Sequence, residues 1–249
     1  MKILVCIKQV PDTLEVKLSG SFTLQRDFVA QQMNPADESA LELGLRLRDL
    51  HGGSVTVLTM GPAKAEDGLR DALARGADEA VLLCNPAFAG ADTLATAKAL
   101  ATAATHLGVF DLLLLGKRAI DGETGQVGPM LASLLDIPCI PNALTVEWEG
   151  QALAVSQLTE TEILSWQCPL PAAVTLCEWR YPLRLPTLAG LKRAQRASIP
   201  CLSPQDIGLC EDETGLRGSP TRVKRAVAKA TGTRTCQKLS ITEVLEVLP

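Results

Sequence analysis

Aromatic residues and histidine are scarce. The 249 residues include three Trp, one Tyr and four Phe, and the only two histidines are His51 and His106. Two isolated histidines give no basis for a His-ligated metal or a hydrolytic triad. Long hydrophobic runs are also missing. Apolar stretches such as Leu112 to Leu115 fall far short of the ~20 residues that cross a bilayer, so no membrane span is expected. Lys2 to Ile7 already reads as a strand, which leaves no room for a secretory or transit peptide. The eight cysteines (Cys6, Cys84, Cys139, Cys168, Cys177, Cys201, Cys210 and Cys236) form no Cys-x-x-Cys pair. Without a signal segment they read as free thiols in a reducing compartment, so a cytoplasmic location is expected.

The net charge of −4 is unevenly placed. Between Arg180 and Arg234 there are 11 basic and 4 acidic residues, against 13 basic and 24 acidic elsewhere. That stretch reads either as a solvated tail or as a basic surface for an acidic partner or a phosphate. Nucleic acid is not expected, because Tyr181 is its one aromatic and no known reader motif is present.

What is present is a regular alternation of strands and helices. Lys2 to Gln9 predicts a strand. Asn34-Pro35-Ala36-Asp37 predicts a helix start, with Asn34 as cap and Pro35 at the first helical position, and Gly52-Gly53 predicts its end. Ser54 to Met60 is a second strand, and Gly61-Pro62 opens a helix to Arg75. Ala80 to Cys84 is a third strand, Asp92 caps an alanine-rich helix to Leu107, and Asp111 to Leu115 is a fourth strand. Strands that are continuously apolar are buried on both faces. The expectation is therefore an α/β fold with an open, mainly parallel, doubly wound sheet. Leu144 to Trp148 and Ala152 to Ser156 add a hairpin, Ala172 to Glu178 adds a last strand, and Ile241 to Leu245 a short closing helix. A domain over residues 1–200 and an extended C-terminal arm over 201–249 are expected. An arm of that length without its own core needs a partner subunit to pack on.

The segment Gly116-Lys117-Arg118-Ala119-Ile120-Asp121-Gly122-Glu123-Thr124-Gly125-Gln126-Val127-Gly128-Pro129 follows the fourth strand and precedes a helix. Glycines allow backbone N–H groups to approach an anion, and a new helix offers unpaired N–H groups and its positive dipole end. The segment is neither a Walker motif, since Arg118 follows Gly116-Lys117, nor the dinucleotide fingerprint, since Gly122, Gly125 and Gly128 are evenly spaced. A nucleotide loop and a merely tight βα turn both remain open on these grounds. Several strand ends carry loops suited to close backbone approach, which favours a nucleotide pocket at their carboxyl ends.

Taken together, the residues resemble the small (beta) subunit of electron transfer flavoproteins. The resemblance runs through Ile3 to Asp12, Met33-Asn34-Pro35, Thr59 to Pro62, Ala72 to Asp78, Gly90 to Thr96 and the Gly116–Pro129 loop. It implies a heterodimer with a flavin-binding alpha subunit and an adenine nucleotide in the beta subunit. That nucleotide would be AMP in ordinary members, or a second FAD that accepts a hydride from NADH in bifurcating members. Carried over, the pocket residues are Cys6, Asn34, Pro35, Ala36, Asp37, Met60 and every residue from Gly116 to Val127. Cys6 and Met60 would wall the adenine, Asn34 would meet the nucleotide or simply cap its helix, and Gly122 to Val127 would present N–H groups to phosphate. Arg118 stands where the family usually has Gln, and Glu123 where it has Asp, which leaves FAD or AMP open.

Arg184 to Ala194 resembles the segment that docks partner dehydrogenases such as acyl-CoA dehydrogenases, with Leu188 as the exposed anchor. The alternative for this stretch is a short amphipathic helix packed on its own domain. Leu185 takes the place of the usual aromatic. The stretches Gly90–Thr96 and Gly218–Thr221 look closer to the bifurcating branch. No residue reads as a general acid, base or nucleophile, so the chemistry would belong to flavin. A nucleotide sensor resembling the universal stress family is a competing expectation. An adenylating enzyme is not, because Lys8 to Asp12 lacks a Ser-Gly-Gly pyrophosphate loop.

Overall fold

A computed structural model describes residues 1–12 and 30–224. The strands predicted as unbroken apolar runs form the middle of one sheet: β1 (Lys2–Cys6), β4 (Ser54–Met60), β5 (Glu79–Leu83) and β6 (Leu112–Gly116). Alternate side chains of each go to opposite faces. Ile3 and Val5 of β1 pack with Leu41, Leu45 and Leu69, whereas Leu4 and Cys6 pack with Ala97, Leu100 and Leu131. One side is covered by α1 (Pro35–His51) and α2 (Glu66–Arg75), the other by α3 (Thr93–Leu107) and α4 (Val127–Leu134). Polarity on either face is buried and needs a partner, as Thr59 of β4 finds by donating to the Ile7 carbonyl at 2.8 Å.

The nine-stranded sheet has the order β11-β5-β4-β1-β6-β10-β7-β8-β9. Its outer strands are β7 (Cys139–Trp148), β8 (Ala152–Leu158), β9 (Ile163–Pro169), β10 (Ala172–Leu176) and β11 (Cys201–Leu202). A separate two-stranded ribbon joins β2 (Gln9–Pro11) to β3 (Gln31–Met33). The sheet is parallel from β11 to β7, then β8 and β9 add an antiparallel meander. The chain winds outward from β1 through β4 to β5, then returns to place β6 on the other side of β1. That reversal lies between β1 and β6.

Several expectations need correction. The hairpin is a three-stranded meander, because β9 is mostly exposed and lacks the alternation that marks a half-buried strand. The strand at Ala172 is not the last one; it is wholly buried between β6 and β7, and β11 follows it. The first strand stops at Cys6, and Gln9 belongs to the ribbon instead. The helix after Gly61 starts as a single 3₁₀ turn (Ala63–Ala65) before α2 proper.

Beyond Trp179 the chain is more regular than its sequence suggests. A helix, α5 (Leu188–Arg196), lies against α2, and β11 extends the sheet beside β5. Ile207 and Leu209 join the core on the α3–α4 side. A single turn, α6 (Gly215–Gly218), packs beside the start of α3. There the Asp92 N–H donates to Ser219 Oγ at 2.8 Å, and the Thr221 hydroxyl donates to Asp92 Oδ2 at 2.7 Å. The rest of the expected arm, including Ile241 to Leu245, lies outside the described residues.

Leu114 is fully buried at the centre of the sheet, while Leu50 is 76% exposed at the end of α1. Leu114→Ala is therefore expected to lower unfolding free energy by about 2–5 kcal/mol, and Leu50→Ala to change it little, in chemical denaturation of the full chain.

Candidate functional site

The carboxyl ends of β4, β1 and β6 lie side by side, and the Gly116 loop rises from them. Its foot is fixed by Asp37, in the first turn of α1. The Gly116 N–H donates to Asp37 Oδ1 at 2.9 Å, and the Lys8 N–H donates to Oδ2 at 2.8 Å. One buried carboxyl thus joins the strand ends on both sides of the topological reversal. Gly116 has no alternative here, since a Cβ would sit 2.2 Å from Asp37 Oδ1 and 2.8 Å from the Ala36 Cβ. Pro35 sets the first helical position beneath, with Asn34 before it in extended backbone.

The Asn34 side chain makes no capping bond. Fully buried, it reaches instead into the loop. Its amide donates to the Arg118 carbonyl at 2.9 Å, and its Oδ1 accepts from the Ile120 N–H at 3.1 Å. That pairing pins Arg118 to Ile120 as one more strand would. Asp121, which follows, accepts from Lys8 Nζ at 2.6 Å, so its charge is balanced within the protein.

From Gly122 to Gln126 the loop is exposed. The Glu123 N–H closes a turn on the Ala119 carbonyl at 2.8 Å, with Glu123 at φ 51° and Gly125 at φ 63°. The N–H groups of Gly122, Thr124, Gly125 and Gln126 find no acceptor among the described residues. The Gln126 side chain accepts from the Thr93 hydroxyl at 3.2 Å, which links the loop to the start of α3. Val127 opens α4, and Gly128 lets that helix lie on β10, where a Cβ would stand 2.4 Å from Thr175 Cγ2.

Cys6 is buried at the end of β1, and Met60, at the end of β4, is half-buried. Burial, reinforced by the charge of Asp37, pushes the Cys6 thiol up to about 12, so it stays protonated and uncharged. The structure therefore gathers all the pocket residues named from the sequence along one edge of the sheet. Sequence reasoning did not single out Lys8 and Glu178. Glu178, just beyond β10, holds Lys117 at 2.8 Å and lies 3.7 Å from Arg118. Arg118 also lies 3.9 Å from Glu123, so it faces acids of its own chain. Both missed residues sit just past the carboxyl end of a parallel strand, and that position was the available signal.

Residues 21–199 match the model of the electron transfer flavoprotein domain. Protein FixA of Azorhizobium caulinodans is 45% identical over 238 residues, covering 92% of this chain and 84% of its own. The electron transfer flavoprotein subunit beta of Thermoanaerobacterium thermosaccharolyticum is 44% identical, covering 90% and 86%. The chain belongs to the electron transfer flavoprotein family, as a beta-type subunit. A third member, the subunit CarD of the caffeyl-CoA reductase-Etf complex of Acetobacterium woodii, is 40% identical over 91% of this chain and 87% of its own. Membership brings an alpha-subunit partner and flavin or nucleotide involvement in general. Among the described residues, no helix is long and apolar enough to cross a membrane.

For a beta-type subunit, Asp37 is a sensitive point. Burial pushes its carboxyl up from 3.8 to about 7, against the opposing pull of the Lys8 and Gly116 N–H groups. The folded state then holds the proton more tightly than the unfolded one. The stability this group contributes is complete below pH 3.8 and falls away as pH rises through about 7. Asp37→Asn removes that slope from the pH dependence of unfolding. It also turns an NH₂ towards one of two N–H donors, so at pH 5 it is expected to lie about 1–3 kcal/mol below the parent.

Proposed function

We propose that this chain is the beta subunit of an alpha–beta electron transfer flavoprotein whose Gly116–Val127 loop and first turn of α1 hold an adenine nucleotide. The observation that carries this reading is the row of N–H donors at Gly122, Thr124, Gly125 and Gln126, exposed and without acceptors among the described residues, on a loop fixed from below. Anions gather at such rows, above all where a helix starts next in sequence. The space is there too, since a Cβ on Gly122 would meet nothing within 4 Å. Phosphate fits these donors better than it would fit Asp121, and Asp121 is already paired to Lys8. Cys6 and Met60 offer the apolar side of the same strand ends to an adenine ring.

The nucleotide we assign is FAD, with AMP as the alternative. Bound FAD supplies hydride and single-electron chemistry, whereas AMP supplies none. The loop amides of Gly122, Thr124, Gly125 and Gln126 would hold the nucleotide's phosphates, and Cys6 and Met60 would meet its apolar part. The likeness to a chain named as part of a caffeyl-CoA reductase-Etf complex supports a role beside CoA-ester enzymes. We extend it to electron bifurcation from NADH in the cytoplasm. Docking of an acyl-CoA dehydrogenase would centre on Leu188, which is 81% exposed on the first turn of α5. Because α5 packs on its own domain and still leaves Leu188 outside, its packing does not stand in the way of docking there.

Releasing and weighing the nucleotides of the heterodimer, co-expressed with its alpha subunit, tests this directly. Two FAD per dimer are expected. One FAD and one AMP would replace the bifurcating reading with a simple electron shuttle, and an empty beta subunit would overturn the pocket itself.

A further inference from the structure

Helix α5 and the strap before it (residues 184–187) are fastened to the domain by charge, main-chain bonds and the buried Ala194, while Leu185, Leu188 and Leu191 are left outside. Leu185 is 83% exposed, close to the value for Leu188, and Leu191 is also exposed. Between them and the fold stands Arg184. Its backbone N–H donates to Glu42 Oε2 at 3.1 Å, and its Nε donates to the same oxygen at 2.9 Å. One terminal nitrogen reaches Glu42 Oε1 at 3.3 Å, and the other reaches Asp49 Oδ2 at 2.7 Å. The Arg184 carbonyl accepts from the Arg75 guanidinium, which Asp71 holds in turn at 2.8 Å. Every polar group of this one residue is engaged.

Glu42 is only 3% exposed, and it also accepts from Arg46 Nε at 2.7 Å. A buried carboxylate with this many donors is unlike the exposed pairs that contribute little. The far end of the strap is equally fixed. Thr187 Oγ1 accepts from the Gly190 N–H at 2.9 Å, and Gly190 lies so close to α2 that a Cβ would be 2.0 Å from the Ala74 carbonyl oxygen. Arg193 donates to the Leu73 and Ala77 carbonyls at 2.9 and 3.1 Å. The exposed leucines are thus strung between two anchors, neither of which uses them.

We propose that Glu42 and Arg184 are a positioning pair that presents the Leu185–Leu188 ridge, already shaped, to a partner protein whose apolar pocket is rimmed by carboxylates. The charge around the ridge selects that rim, since Lys192, Arg193 and Arg196 follow it on α5 with exposed side chains. Ordering the ridge before encounter spares the complex the entropy of ordering it afterwards. Glu42 sits on α1, the helix whose first turn holds the Gly116 loop through Asn34 and Asp37, and Arg184 ties the strap to it. The ridge and the loop are therefore registered on a single rod of 17 residues. The inference rests on the reading of Leu188 as the docking anchor.

The test uses the alpha–beta heterodimer with Arg184→Gln and Leu188→Ala. Amide hydrogen exchange is followed over residues 185–191, alongside KM and kcat with a purified acyl-CoA dehydrogenase. Arg184→Gln is expected to speed exchange over 185–191 by about tenfold or more while β1 and β6 keep their protection. It should also raise KM for the heterodimer about fivefold, with kcat and nucleotide content near the parent. Leu188→Ala should raise KM without changing exchange. Parent-like exchange and KM in Arg184→Gln would overturn the positioning role while leaving the docking reading intact. An unchanged KM in Leu188→Ala would overturn the docking reading instead, and the exchange result would still decide whether Arg184 fastens the strap. If Arg184→Gln does not assemble, Arg184→Lys, which keeps the charge and loses the fork, should show the same changes in smaller degree.

Discussion

The Lys8 and Gly116 N–H groups converge on the buried carboxyl of Asp37, and most of the candidate site hangs from that meeting point. β1 and β6 pair as far as Cys6 and Leu115, and just past that register the Lys8 and Gly116 N–H groups take Asp37 as their acceptor. The carboxyl joins the two strand ends and fixes the height of α1 above the sheet. Asn34 then extends the same logic one turn earlier, by standing in for a strand beside Arg118 and Ile120. The exposed part of the loop leaves amides unpaired among the described residues, while its base is held by Asp37 and Asn34.

Helix α1 carries three kinds of contact in sequence. Its first turn holds the loop. Ser39, in its second, accepts from the Arg180 N–H at 3.1 Å, and Glu42 and Asp49 beyond it hold Arg184. Its apolar side meanwhile supplies Leu41, Leu43 and Leu45 to the core. Burying polar side chains on a helix this well packed is costly unless each finds partners. Asn34, Asp37, Ser39 and Glu42 all do, and those partners lie on segments distant in sequence. Polar specificity is layered here on a hydrophobic scaffold.

Much of this was legible in the residues. Pro35 and the Gly52-Gly53 stop bounded α1, Ser54 and Met60 bounded β4, and Asp92 capped α3 through the N–H groups of Leu94 and Ala95. These are local signals, set by backbone geometry and caps. The failures came where local and tertiary chemistry diverge. Asn34 has the composition of a cap, yet its side chain is drawn to carbonyl and amide partners more than eighty residues away. β9 exists because β8 needs a neighbour, not because its own residues alternate. Helix α5 is held by arginines donating to carbonyls of α2, a pattern invisible to hydrophobic periodicity. The Gly116 loop was readable because Gly116 and Gly128 answer steric demands at the site itself and Gly125 a positive φ.

The way the Arg184 strap is fastened bears on how such proteins diversify. Leu185 and Leu188 bury almost nothing within their own domain, and the residues that hold them are elsewhere. Mutational drift at the two leucines is thus nearly free of folding consequences, since neither the core nor the ion pairs sense it. Descendants of one ancestral scaffold could try new side chains on the ridge, and so new associates, while the sheet and its loop stayed under unrelaxed selection. Leu185, 83% exposed, is the kind of position such separation leaves open to change.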